Sequence, residues 1–152
     1  MSPVGPIVPS RAPGIRSIRH VTSLRVRYSE TDQMGTFYNS RALEWFECGR
    51  TELLRSIDLT YASLEARQVF LPLVEAHVEY LGRARYDDLL QIATGASFQG
   101  RARLRCDVEI RQAATPTAVA RGYTIHAFTE ATGIVIRPPA WFVEAFARAA
   151  HE

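Results

Sequence analysis

Ten consecutive residues, Ala102 to Arg111, alternate without a break. Ala102, Leu104, Cys106, Val108 and Ile110 fall on one side, and Arg103, Arg105, Asp107, Glu109 and Arg111 on the other. A period of two marks a strand with one face buried and one in water, which belongs to an antiparallel sheet rather than a doubly covered parallel one. Asp88 to Phe98 precedes it across a turn at Gln99-Gly100, so the two read as a hairpin. The apolar face of such a sheet has to be covered. The chain offers one long cover: from Asn39 or Ser40 the period lengthens to that of a helix, both residues being good N-caps. Leu43, Phe46, Gly49 or Arg50, Leu53, Leu54 and Ile57 form its apolar stripe. Trp45 and Cys48 widen the stripe, which predicts a helix buried over more than half its circumference. Glu47 with Arg50, and Glu52 with Arg55, read as ion pairs three residues apart on its outer side.

The remaining segments fit around this pair of features. His20 to Ser29 alternates and predicts a first strand, Thr60 to Arg67 a short helix, and Val69 to Leu81 a strand apolar enough to be central. Thr117 to Thr129 is a further strand, Ile134 to Ile136 a short one, and Pro139 to Ala150 a closing helix with proline in its first turn. Residues 1–19, with four prolines, three arginines and no acid, read as a flexible extension, leaving one domain over residues 20–152. The sum is an α+β domain in which an antiparallel β-sheet wraps a long central α-helix.

Composition removes several function classes. A formal charge of +2 does not argue for a nucleic-acid partner. No apolar run approaches the roughly 18 residues of a membrane span, and the N-terminus lacks the apolar core of a signal peptide. Cys48 and Cys106 show no metal-ligand spacing, so they read as two buried free thiols in a reducing, cytoplasmic setting, with no metal site. All eighteen basic residues are arginine, so any phosphate contact would be a forked, bidentate one.

Chemistry concentrates just ahead of the helix. Asp32 lies in a polar loop, Gly35 permits a turn there, and Asn39 stands seven residues on at the helix start. A loop aspartate before a helix is ordinarily a turn or capping residue. The same placement also lets a carboxylate face a helix N-terminus, where a nucleophile and an oxygen can be activated together. Glu44 and Glu47 read as solvated or subunit-facing charges. His77 reads as a packing or interface residue, and His20, His126 and His151 have no partner spacing.

The segment Arg25 to Leu54, RVRYSETDQMGTFYNSRALEWFECGRTELL, resembles the start of hotdog-fold acyl-CoA thioesterases of the 4-hydroxybenzoyl-CoA and Tol-Pal-associated type. Their Y-x-x-T/C-D-x-x-G-x-x-Y/W signature falls here on Tyr28, Thr31, Asp32, Gly35 and Tyr38. Tyr80 to Leu89 and the closing TGIVIRPPAWFVEAF resemble two further family segments, so the likeness runs over about residues 20 to 150.

The resemblance implies a hotdog fold and hydrolysis of an acyl-CoA thioester without a cofactor. Asp32 would be nucleophile or general base, with Tyr28 held beside it. The backbone N–H near Asn39 would be the oxyanion donor, where relatives carry histidine or tyrosine. It also implies a homodimer, paired into a homotetramer, with the acyl group between subunits. Tyr38, Arg85, Arg101 and Arg137 are the expected substrate contacts, Arg101 and Arg137 being favoured for the nucleotide. Two other readings stand beside it: release of a product from an acyl carrier protein, and a non-catalytic hotdog ligand-binding protein. A dehydratase would need a histidine paired with an acid, which this pattern lacks.

Overall fold

The computed structural model describes residues 17–150; the expected N-terminal extension up to residue 16, and His151, lie outside the described residues. In chain order the elements are β1 (Ser17–Arg25), a 3-10 turn (Tyr28–Glu30), α1 (Arg41–Ser56), α2 (Tyr61–Ala66), β2 (Leu73–Tyr80), β3 (Leu89–Gln99), β4 (Arg103–Gln112), β5 (Ala118–Ala127) and α3 (Ala140–Ala150). The strands form one antiparallel sheet in the order β1-β3-β4-β5-β2. This is the hotdog arrangement, with α1 lying across the sheet. β1 begins at Ser17, so three residues read as part of the extension belong to the sheet, paired as Ser17 with Ser97.

The β3–β4 hairpin follows its alternation. Leu104, Cys106, Val108 and Ile110 are buried under α1, while Arg105, Asp107, Glu109 and Arg111 form ion pairs on the outer face. From α1, Ala42, Trp45, Phe46, Gly49, Leu53 and Leu54 go inward. The core divides along the helix. Trp45 and Phe46 pack with Phe37, Leu90 and Ile92, whereas Leu53 and Leu54 pack with Phe128, Phe142 and Phe146 where α3 closes that end. Each large side chain so buried contributes on the order of 1.5–3 kcal/mol. Gly49 is the point of closest approach to β3, because a Cβ there would collide with Thr94 Oγ1 and the Ile92 side chain.

Several expectations are corrected. The segment Val69–Leu81 does not form a central strand: β2 is an edge strand, bonded only to β5, with Leu73, Val74 and Tyr80 exposed. Val69 and Leu71, ahead of the strand, enter the core, while the apolar residues of β2 itself face largely outward at the sheet's margin. Leu43 and Cys48 are exposed rather than buried, because α1 rests on β1, β3 and β4 along one face only and the sheet extends past it. Arg50 is not paired with Glu47; it turns inward, with Nε donating to Tyr61 Oη (2.6 Å) and Nη1 to Thr124 Oγ1 (3.4 Å). The expected Glu52–Arg55 pair is present at 3.4 Å. Ile134–Ile136 makes no strand, only a single bridge from Val135 to Thr129.

Candidate active site

The loop between β1 and α1 is a small hairpin hung from the sheet. Val26 exchanges backbone bonds with Asp87 and Asp88 (both 2.9 Å), the 3-10 turn follows, and Thr31 then pairs with Phe37. Asp32 N–H donates to Thr36 O (2.9 Å) and Gly35 N–H to Asp32 O (3.1 Å). Gly35 sits at φ +76°, a left-handed conformation that costs glycine nothing. Asp32 is half-buried, and its Oδ1 accepts the Met34 N–H at 2.8 Å. That is the ordinary turn-capping role of an aspartate, and it occupies one carboxylate oxygen only. The residue borders a cavity of about 560 Å³, lined by Tyr28, Thr31, Gln33, Gly35, Arg85 and Tyr86 as well. Tyr28 and Tyr86 meet edge to face at 5.6 Å across it.

The helix start lies directly after this loop. Tyr38 N–H donates back to Glu30 O (2.8 Å), and Arg41 N–H to Tyr38 O (2.9 Å). Between them, the amides of Asn39 and Ser40 donate to no group among the described residues. Ser40 is the N-cap and makes no side-chain cap bond. Two unpaired N–H groups therefore stand at the positive end of a sixteen-residue helix. The Asn39 carbonyl is held by the Tyr80 hydroxyl at 2.7 Å.

Glu30 was not singled out by the sequence, yet it anchors this whole arrangement. It is 2% exposed. Its Oε2 accepts the Trp45 indole N–H (2.7 Å), its Oε1 accepts the Arg27 N–H (2.8 Å), and the Arg27 guanidinium lies 3.3 Å away. Burial pushes the Glu30 carboxyl up, but the Arg27 amide, the Trp45 indole and the Arg27 side chain outweigh it and hold the group below the usual carboxylate range. The Asp32 loop is thereby fastened to the first turns of α1. Arg41 adds a second tie, donating to Ser29 O (3.2 Å) while paired with Glu44 at 2.8 Å. A partner fifteen residues away leaves no periodic trace, so Glu30 could be found only in three dimensions.

Of the expected site residues, the structure gathers Tyr28, Asp32, Gly35 and Arg85 around one cavity. Asn39 follows at the helix start, and the Tyr38 side chain is exposed outside the cavity lining. Arg101 and Arg137 are not brought there. Arg101 follows the far end of β3, which at about 3.3 Å per residue lies roughly 30 Å from the Arg85 loop. Arg137 adjoins Ile136, bonded to Phe128, which is bonded in turn to Ala102 at that same far end. Glu44 and Glu47 border a separate depression with Cys48 and Thr51. Among the described residues no cluster of His, Cys, Asp and Glu could hold a metal ion.

One long helix laid across an antiparallel sheet is an arrangement shared with solved thioesterase structures. The chain belongs to the thioesterase-like superfamily, whose family model matches residues 26–146. An acyl-CoA thioesterase of Haemophilus influenzae is 37% identical over 75 residues, covering 49% of this chain and 55% of that protein. The chain spans about half the length of the curated relatives it matches. A DHNA-CoA thioesterase structure from Staphylococcus aureus superposes with a TM-score of 0.79 at 25% identity, covering 88% of this chain and 92% of that one. A hypothetical protein from Thermus thermophilus superposes equally well, at 0.79, with 27% identity over 87% of this chain and 98% of its own.

Proposed function

We propose that the chain hydrolyses an acyl-CoA thioester to the free acid and CoA. The observation that carries this reading is that the loop bearing the half-buried Asp32 is tied, through Tyr38 N–H to Glu30 O, directly ahead of two unpaired amides at the start of α1. A thioester carbonyl placed between them has its oxygen at the Asn39 and Ser40 N–H groups, where charge that develops in the tetrahedral intermediate is stabilised. Asp32 then works in one of two ways. As a general base it takes a proton from a water that adds to the carbonyl, and the thiolate of CoA leaves. As a nucleophile it forms a mixed anhydride with loss of the thiolate, and water then cleaves the anhydride. Arg85, at the cavity rim, suits the phosphates of CoA. The free edge of β2, with Leu73, Val74 and Leu81 exposed, supports a homodimer that covers it.

The test is a panel of acyl-CoA and acyl-carrier-protein thioesters with the released thiol measured. The wild-type chain is expected to turn over at least one CoA thioester. Asp32→Asn, which keeps the turn-capping oxygen, is expected to lower kcat by about 10²–10⁴-fold. No turnover on any thioester overturns the activity; turnover on carrier-protein thioesters alone changes the substrate class. Near-full activity in Asp32→Asn overturns the role of that carboxylate.

A further inference from the structure

We infer that Tyr80 is a positioning residue for the oxyanion donors at the start of α1, acting through the Asn39 carbonyl. The inference rests on the thioester-hydrolase reading above. Tyr80 ends β2 on the free edge of the sheet, and its hydroxyl donates to the Asn39 carbonyl oxygen at 2.7 Å. The other bond to that carbonyl, from Ala42 N–H, is long at 3.4 Å, so the phenol is the firmer anchor. No peptide bond in the described chain is cis. In a trans peptide the carbonyl and the following N–H point in opposite directions, so holding the Asn39 carbonyl also aims the Ser40 N–H. A hydrogen bond on the carbonyl further polarises that peptide and strengthens its N–H as a donor.

The geometry separates this role from ordinary packing. Tyr80 is 50% exposed, and its ring keeps a stacked contact with Phe37 at 6.0 Å whether or not the hydroxyl is there. Phe37 packs in turn on Trp45 at 4.8 Å, so the ring is located by the core and the hydroxyl alone reaches the helix start. Removing that one oxygen opens no cavity and exposes no apolar surface.

The experiment compares the full chain with Tyr80→Phe. Expected are a fall in kcat of about tenfold with KM changed less than about twofold, since the oxyanion bond matters most in the transition state. In the free protein the Ser40 amide resonance is expected to move in the ¹H–¹⁵N spectrum while that of Leu53, in the middle of the core, stays. An unmoved Ser40 resonance, or an unchanged kcat, overturns the inference. So does a lowered thermal midpoint with kcat intact, which would make the hydroxyl a structural prop. If the wild type hydrolyses no thioester at all, the functional reading fails, and the Ser40 resonance still decides whether Tyr80 sets that peptide.

Discussion

Glu30 and His126 are both sealed in the interior, one in each half of the core, and the fold treats them in opposite ways. Glu30 is surrounded by donors: the Trp45 indole, the Arg27 amide and the Arg27 guanidinium. His126 has Nδ1 3.0 Å from Leu71 O and Nε2 2.9 Å from Thr124 Oγ1, with the Arg50 guanidinium nearby. Burial and then the neighbouring Arg50 charge bring its pKa down to about 4, against a lesser upward pull from the Leu71 carbonyl. So burial opposes charge at both sites, and the neighbours decide the outcome. One residue stays an anion and fastens the Asp32 loop to α1. The other stays neutral and stitches β5 to the chain entering β2.

The largest expected effect breaks the anionic site. Glu30→Leu strands the Trp45 N–H and the Arg27 amide, and is expected to cost on the order of 2–5 kcal/mol by urea unfolding, about 1–3 kcal/mol for each donor left without a partner. A loss below about 1 kcal/mol would show that the buried carboxylate is not the anchor.

Acid titration comes next. For His126 the unfolded chain binds its proton near 6.5 and the folded chain near 4. The unfolded state therefore carries more protons between those values, and stability falls as pH drops from about 6.5 to about 4, by roughly 3 kcal/mol. Glu30 has the opposite chemistry but also favours neutral pH. Its lowered pKa contributes stability that is present above 4.5 and lost below it. Unfolding measured from pH 7 to about pH 3 in wild type and His126→Leu separates the two windows, since the upper one should vanish in the variant while the loss below 4.5 remains. A wild-type stability that is flat between pH 6.5 and 4 would overturn the account of His126.

The smallest effect sharpens the neutral site. Thr124→Val keeps the shape of the side chain and removes the hydroxyl shared by His126 and Arg50. It is expected to cost about 1 kcal/mol and to leave the fold intact. A cost as large as that of Glu30→Leu would mean that the two buried sites do not differ in the way described.

The sequence made the fold legible where a local period carries the information. The alternation of Ala102–Arg111, the hairpin at Gln99-Gly100 and the helical stripe after Ser40 all correspond to β4, its turn and α1. The candidate site was legible in part. Asp32 stands out as an acid in the loop ahead of the helix, and Tyr28 and Gly35 come with its signature. Arg85 also reaches the same cavity, whereas Arg101 and Arg137 are at the other end of the sheet. Glu30 escaped because its partners are Trp45, across a loop, and a backbone amide. Cys48 and Leu43 were misplaced because a stripe's width depends on how many strands the helix meets.

What the sequence determined by itself is which residues share a face: the buried side of β4, the inward side of α1, and the loop that carries an acid up to a helix start. Only the tertiary structure decided what each face meets. It turned an apolar segment into the edge strand β2 and drew Arg50 inward to Tyr61 and Thr124. It buried Glu30 against Trp45 and set the Tyr80 hydroxyl on the Asn39 carbonyl. The physical reason is that periodicity is a property of neighbours along the chain. Protonation, ion pairing and the aim of a peptide N–H are set by groups that arrive from distant parts of the sequence.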